Sequence, residues 1–279
     1  MKILFLGDIV GKTGCDAIKK FLPKIIKKNN IDFVIVNGEN SDDSGVGITE
    51  EISEELFKSG VDVITTGNHV WDQKEISSYI AKEKRLLRPQ NLSKDLPGKG
   101  FEIFVNKKGY SIGVLNLMGN IFMKKCDDAF VSATDVINEN KLKENLDFFI
   151  VDFHGEITSE KMAIGHYLDG KVTLVVGTHT HVPTSDFRIL NNGTAYQTDA
   201  GMCGDYNSVI GMNKENSINK FLQKDSKKHF PSTGEATLSG IIVEGNLNTG
   251  LAKSIRPFVF GGVLKESSWY GRTFSLGWH

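Results

Sequence analysis

The sequence predicts an α/β fold in which two mixed β-sheets pack together with helices outside. Three observations carry this. The first half alternates apolar, β-rich runs with stretches of helical periodicity, and beyond residue 177 the pattern changes to strands and turns. No stretch of the 279 residues reads as an internal repeat or an interdomain linker, so one domain over 1–279 is expected.

Taken in order, residues 3–6 read as a buried strand. Ile18, Phe21, Leu22, Ile25 and Ile26 then recur at helical spacing, with Lys19, Lys20, Lys24, Lys27 and Lys28 on the other side, and Pro23 is expected to bend that helix. A second strand covers 33–36. Thr49 suits the N-cap of a helix running to about Lys58, a third strand covers 61–65, and a helix is expected over 74–84. Strands at 102–105 and 111–116 flank a turn at 107–109. Residues 118–130 read as an irregular surface excursion, a lid or an oligomer contact. A helix over 133–144, a strand at 148–153, a helix over 160–168 and a strand at 172–177 come next. Asn192-Gly193, between runs at 187–190 and 195–198, signals a hairpin. Runs at 238–243 and 255–260 add strands, and the Asn- and Lys-rich stretch 213–228 reads as a mobile or lightly packed loop.

Composition narrows the function. A formal net charge of −1 gives no global field for nucleic acid or an anionic membrane, so an anionic substrate has to be attracted locally. Cys15, Cys126 and Cys203 are scattered and odd in number, which points to a reducing compartment and away from a disulfide framework or a thiolate zinc site. The apolar run at the N-terminus is too short for a signal peptide and no stretch suits a membrane span, so a cytoplasmic location is expected.

The chemistry lies just past the end of each strand. Strand one ends in Gly7-Asp8, strand two in Asn37-Gly38-Glu39-Asn40, and strand three in Thr66-Gly67-Asn68-His69. Later strands end in His154-Gly155-Glu156 and in Gly177-Thr178-His179-Thr180-His181. Ligands of open α/β sheets bind beyond the carboxyl ends of the strands, and five such ends here carry metal-ligand chemistry. Singly, each has a plain structural reading. Asp8 would serve as a helix N-cap, Glu39-Asn40 as an acidic turn, Asn68 and His69 as turn satisfiers, and His154 as a hydrogen-bonded core histidine. His179 and His181 are harder to dismiss, since an i, i+2 pair in extended chain points to one side. Their convergence outweighs the separate explanations.

Carboxylate, carboxamide and imidazole without thiolate suit iron, manganese or zinc. Glu39 could bridge two ions roughly 3.5–4 Å apart. With Asp8 and Glu39 as the anionic ligands, two divalent ions keep a charge of about +2, or about +1 with a bridging hydroxide, which attracts a phosphodiester and supplies a nucleophile. The Walker-like run Gly7-Asp8-Ile9-Val10-Gly11-Lys12-Thr13 has three residues between its glycines where a phosphate loop needs four, and Asp8 would repel the phosphates. Gly45-Val46-Gly47 lacks the rest of a dinucleotide fingerprint and reads as a flexible loop.

At these residues the sequence resembles the calcineurin-like metallophosphoesterases, through Gly67-Asn68-His69 and His179-Thr180-His181. It departs from their usual pattern at Asp8-Ile9-Val10, where a histidine ligand is absent, and at Gly38-Glu39-Asn40, where Glu stands for the bridging Asp. That variant is similar to one branch, the YmdB-like bacterial 2′,3′-cyclic-nucleotide 2′-phosphodiesterases. Thr66-Gly67-Asn68-His69-Val70-Trp71-Asp72, Asp152-Phe153-His154-Gly155-Glu156 and the run from Gly177 to Thr184 followed by Asp186 extend the resemblance along almost the whole chain. It implies a four-layer α-β-β-α sandwich of metallophosphoesterase type. It also implies one metal on Asp8, Glu39, Asn40 and His181, and another on Glu39, Asn68, His154 and His179. The ions would be two irons, with manganese or zinc as substitutes. His69 would be the general acid for the departing ribose oxygen after attack by a metal-bridging hydroxide, and the product a 3′-nucleotide. A homo-oligomer, a tetramer among the options, is also implied.

Two rival readings remain at this level. The same centre would serve a phosphomonoesterase or a broader phosphodiesterase. Nothing in the sequence fixes how a nucleoside is held; Phe122, Tyr206 and Phe230 are candidate stacking groups, each more simply explained by packing. An RNA-associated regulatory protein with a structural metal would use the lysine pairs 19–20, 27–28, 107–108 and 227–228. These read better as solvated faces balanced by acids, so no stable nucleic-acid complex is expected.

Overall fold

The structure, a computed structural model, describes residues 1–224 and 228–266. Residues 225–227, which include Lys227 and part of the stretch 213–228, and residues 267–279 of the expected domain lie outside the described residues. The strands are β1 (Lys2–Leu6), β2 (Asp8–Ile9), β3 (Phe33–Asn37), β4 (Val63–Thr65), β5 (Phe101–Val105), β6 (Ser111–Met118), β7 (Phe148–His154), β8 (Leu174–Thr178), β9 (Arg188–Ile189), β10 (Ala195–Gln197), β11 (Met202–Asp205), β12 (Ala236–Gly245) and β13 (Ala252–Phe260). The helices are α1 (Gly11–Asn29), α2 (Glu50–Lys58), α3 (Ile76–Ile80), α4 (Ala129–Glu139), α5 (Thr158–Tyr167) and α6 (Lys214–Phe221).

Two mixed sheets form. One has the order β2-β11-β12-β1-β3-β4, with β13 on the free side of β12; the other runs β5-β6-β7-β8-β10-β9. Strands β1, β3 and β4 are parallel neighbours, as are β6, β7 and β8, while β12 returns antiparallel to β1. Parallel strands covered on both faces need apolar residues at almost every position, which is why runs such as Phe33–Asn37 lack alternation. Alternate side chains still go to opposite sides. Ile3, Phe5, Phe33 and Ile35 meet Ile112, Phe148, Ile150 and Leu174 between the sheets. Leu4, Leu6, Val34 and Val36 face outward onto Ile18, Leu22 and Leu56 of α1 and α2. On the far side, Phe149, Val151 and Phe153 pack on Ala133 and Ile137 of α4 and Ile164 of α5. These three cores between successive layers give the α-β-β-α order the resemblance implied.

Several boundaries differ from expectation. Asp8 caps no helix; it is a fully buried strand residue paired with Met202, and Val10 occupies the cap position. Pro23 sits inside α1 without ending it. The helix expected over 74–84 shrinks to α3 because the chain must straighten for Leu86 to pair beside Ile64. The helix expected over 133–144 begins earlier, where the Asp128 carboxylate accepts from the Phe130 and Val131 amides, and ends at Glu139 as Asn140 turns extended. Within the expected loop 213–228, Asn213 caps α6 by accepting from the Asn216 amide, although Phe221 at its end is 82% exposed and so lightly packed. The hairpin stands as expected: β9 and β10 pair antiparallel, and Gly193 adopts φ 101° in the turn. No helix among the described residues is long and apolar enough to cross a membrane.

Candidate metal centre

The parallel strands deliver their carboxyl ends to one place. Asp8 lies on β2, Glu39 and Asn40 follow β3, and Asn68 and His69 follow β4. His154 ends β7, and His179 and His181 follow β8. The seven predicted metal-ligand side chains come together, and His69 stands at their border. His154 Nε2 is 2.9 Å from Glu39 Oε1, 3.2 Å from Asn68 Oδ1 and 3.0 Å from His179 Nδ1. Asp8 Oδ1 lies 3.7 Å from His181 Nε2 and 3.8 Å from the His154 ring, and Asn40 Nδ2 lies 3.2 Å from His181 Nε2. The His69 amide donates to Glu39 Oε2 at 3.1 Å, so its side chain borders the cluster without entering it.

The far nitrogens of the three clustered imidazoles show which lone pairs are free. Thr178 Oγ1 donates to Asp152 Oδ1 at 2.7 Å and therefore accepts from His154 Nδ1 at 2.9 Å. The Ile210 carbonyl can only accept, so His181 Nδ1 is its donor at 2.8 Å. His179 Nε2 lies 3.2 Å from the Glu156 carboxylate. Each tether leaves the inward nitrogen with its lone pair, as metal-binding histidines are held. Two such lone pairs facing each other at 3.0 Å repel unless a cation lies between them. Asp8 Oδ1, moreover, is buried without a hydrogen-bond partner among the described residues. The donor set therefore fits metal ions.

The two buried carboxylates call for positive charge beside them. Burial alone would raise both carboxylates. For Asp8 the neighbouring His181 ring, then the charge of His154, hold it well below the usual range; for Glu39 the charge and hydrogen bond of His154 lower it. His154, against its burial, is pushed up to about 9, chiefly by Glu39 and then Asp8, while burial and then the charge of His154 push His179 down to about 4. Burial pushes the Asp152 carboxyl up to about 6. Among the described residues no lysine or arginine pairs with Asp8 or Glu39; their recorded ion-pair partners are imidazoles.

One expectation about the backbone fails. His179 and His181 do not sit in extended chain: their φ values are 98° and 66°, left-handed conformations that cost about 1–3 kcal/mol each. They converge because Asp199 pins the residue between them. Its Oδ2 accepts from the Thr180 amide at 3.1 Å, from Thr180 Oγ1 at 2.7 Å and from Lys161 Nζ at 2.7 Å. Lys161 and Asp199 are both buried. Lys161→Met is expected to leave this carboxylate uncompensated and to lower unfolding stability by about 3–5 kcal/mol in urea titrations, whereas an unchanged midpoint would show the pair to be dispensable.

Glu39, Asn40, His69, His179 and His181 border a cavity of about 910 Å³. The excursion at 118–130 folds against the same edge, where Lys124 Nζ donates to the Asn68 carbonyl at 2.6 Å and lies 3.7 Å from Asp72. Asp72 in turn holds His69 Nδ1 at 2.7 Å. Residue-by-residue reading missed these supports, and also Thr178, the Ile210 carbonyl and α6. Only Asp72, three residues after His69, carries a local signal. The candidate stacking groups are elsewhere: Tyr206, just past β11, accepts from the Met202 amide, and neither Phe122 nor Phe230 lines the cavity.

A model of the YmdB-like protein family matches residues 4–258. The chain belongs to the YmdB-like family. Among its YmdB-like relatives is a Bacillus subtilis protein named 2′,3′-cyclic-nucleotide 2′-phosphodiesterase, 44% identical over 244 residues that cover 88% of this chain and 91% of that protein. The solved structure of a Mycoplasma pneumoniae protein described as a novel phosphatase superposes with a TM-score of 0.86 at 38% identity, covering 94% of this chain and 93% of that one. A Thermus thermophilus structure, described as a hypothetical protein, gives the same TM-score at 37% identity and covers 94% of this chain and all of that one.

Proposed function

We propose that this YmdB-like chain is a metal-dependent phosphodiesterase of calcineurin-like metallophosphoesterase type, opening 2′,3′-cyclic nucleotides to 3′-nucleotides. The observation that carries the reading is the set of buried carboxylates and inward-facing imidazole lone pairs at the strand ends; the name of the Bacillus subtilis relative supplies the substrate class. The chain is a phosphoric diester hydrolase. Asp8, Asn40 and His181 would hold one ion, and Asn68, His154 and His179 the other. Glu39, whose Oε1 is 2.9 Å from His154 and 3.4 Å from Asn40, would stand between them. Iron suits this nitrogen- and oxygen-rich set, with manganese or zinc as replacements. When bound, such ions ionise water near neutrality and neutralise phosphoryl oxygens.

The chain's own residues do the rest. Asp72 fixes the His69 ring through Nδ1; with the ring as an imidazolium, Nε2 would give its proton to the 2′ oxygen as the bond to phosphorus breaks, leaving the neutral imidazole hydrogen-bonded to Asp72. The tethers at Thr178, Ile210 and Glu156 hold the three imidazoles in place, so little reorganisation accompanies the reaction. The regulatory reading loses support, because Lys108 pairs with Asp32 and Lys19 with Asp16 and Glu55.

Metal analysis and turnover on one preparation test the proposal. Metal-loaded protein is expected to convert 2′,3′-cyclic AMP to 3′-AMP faster than it acts on 3′,5′-cyclic AMP or a phosphomonoester, and chelation should abolish all turnover. Faster monoester hydrolysis would favour a phosphomonoesterase, and a metal-loaded but inert protein would refute the reading.

A further inference from the structure

The cavity that opens on the metal centre continues past it to a wall of different character. Ile210, Met212 and Phe221 give that wall an apolar surface, and the Phe221 ring is 82% exposed. Behind it stand Ser217 of α6, 2% exposed, and His229. Ser217 Oγ and His229 Nε2 are both buried and have no hydrogen-bond partner among the described residues, although both residues line the cavity. A buried hydroxyl or ring nitrogen left unpaired costs about 1–3 kcal/mol, so two of them in one wall mark a surface built to meet polar atoms of a ligand. Resting on the phosphodiesterase reading above, we propose that this wall is the nucleobase subsite. The base lies between Phe221 and the Ile210–Met212 strip, and Ser217 and His229 take its polar edge.

The composition of the wall selects this occupant. A flat heterocycle has apolar faces and a polar rim, which matches an aromatic and aliphatic clamp backed by a hydroxyl and an imidazole. A second phosphate would need cations, and Lys220 is the single lysine or arginine lining the cavity among the described residues. The subsite therefore fits one nucleoside, not a longer strand. Ile210 links it to the centre directly: its carbonyl holds His181 Nδ1 at 2.8 Å while its side chain, 54% exposed, forms the wall. A seated base presses on the same residue that tethers His181.

The test compares a substrate with a base and one without. Ser217→Ala, His229→Ala and Phe221→Ala, made in the full chain, are assayed on 2′,3′-cyclic AMP and on bis(p-nitrophenyl) phosphate, and 3′-AMP binding is measured by calorimetry. Each variant is expected to lower the ratio of kcat/KM for the nucleotide over the aryl diester by about tenfold and to weaken 3′-AMP binding by a similar factor. Phe221 is exposed, so its variant stays informative if a buried substitution misfolds. An unchanged ratio with unchanged 3′-AMP affinity in Phe221→Ala overturns the subsite. If wild-type protein cleaves neither diester, the phosphodiesterase reading falls. The subsite then stands only if 3′-AMP binds and the variants weaken it, and falls with that reading otherwise.

Discussion

Alanine at position 69 is expected to lower kcat for opening 2′,3′-cyclic AMP by roughly 10²–10⁴-fold in metal-loaded protein. The His69 side chain borders the cluster, and its contact with Glu39 is made by the backbone amide, which alanine retains. Metal content should therefore match wild type. The ribose oxygen is a poor leaving group without a proton, whereas p-nitrophenolate leaves readily unprotonated. The same variant should accordingly lose far less on an aryl diester. A rate on the cyclic nucleotide equal to wild type, with metal content confirmed, would remove His69 from the mechanism.

Gly67→Ala should be as damaging without altering any candidate ligand. A Cβ at this position would meet His154 Nε2 at 2.3 Å and Glu39 Oε2 at 2.4 Å. Neither side chain can retreat: both are fully buried, and His154 is held from behind by Thr178, which itself leans on Asp152. The backbone must shift instead, parting Asn68 from His154. Metal affinity is expected to fall at least as far as it does when a supporting partner is lost, about 10–100-fold, with cyclic-nucleotide turnover falling alongside. Metal retained per chain after dialysis, measured with a circular dichroism check of folding, decides this. Wild-type metal content in the alanine variant would mean that the strand end is far more pliant than its packing implies.

The strand-end residues were legible in the sequence because strand, loop and chemistry follow one another locally. A buried parallel strand must be an apolar run, and a polar cluster directly after it can only lie at its carboxyl end. Helix boundaries were less legible. Whether α3 continues past Ile80 depends on Leu86 pairing with Ile64, a contact invisible to local periodicity. The two-residue strand β2 carries no pattern of its own; Asp8 becomes a strand residue because Met202 arrives beside it. The extended geometry expected at His179 and His181 gave way to left-handed backbone for a similarly distant reason, the grip of Asp199 and Lys161 on Thr180. Polar stretches such as 213–228 give the weakest signal, since a short capped helix with few buried side chains has almost the composition of a loop.

The order of strands in the first sheet bears on how such a chain is born. Lys2 lies opposite Glu244 and Ile3 opposite Val243, so one flank of β1 stays unpaired until about 245 residues have left the ribosome. At 5–20 residues per second that wait is roughly 10–50 s. For most of it, Asp8 lacks Met202 beside it, and the carboxylates of Asp8 and Glu39 can meet cellular ions before the histidines that would complete their cage have been made. A late-arriving C-terminal ribbon thus acts as the clasp of the molecule, and shortening it should cause aggregation of newly made chains rather than simple loss of metal.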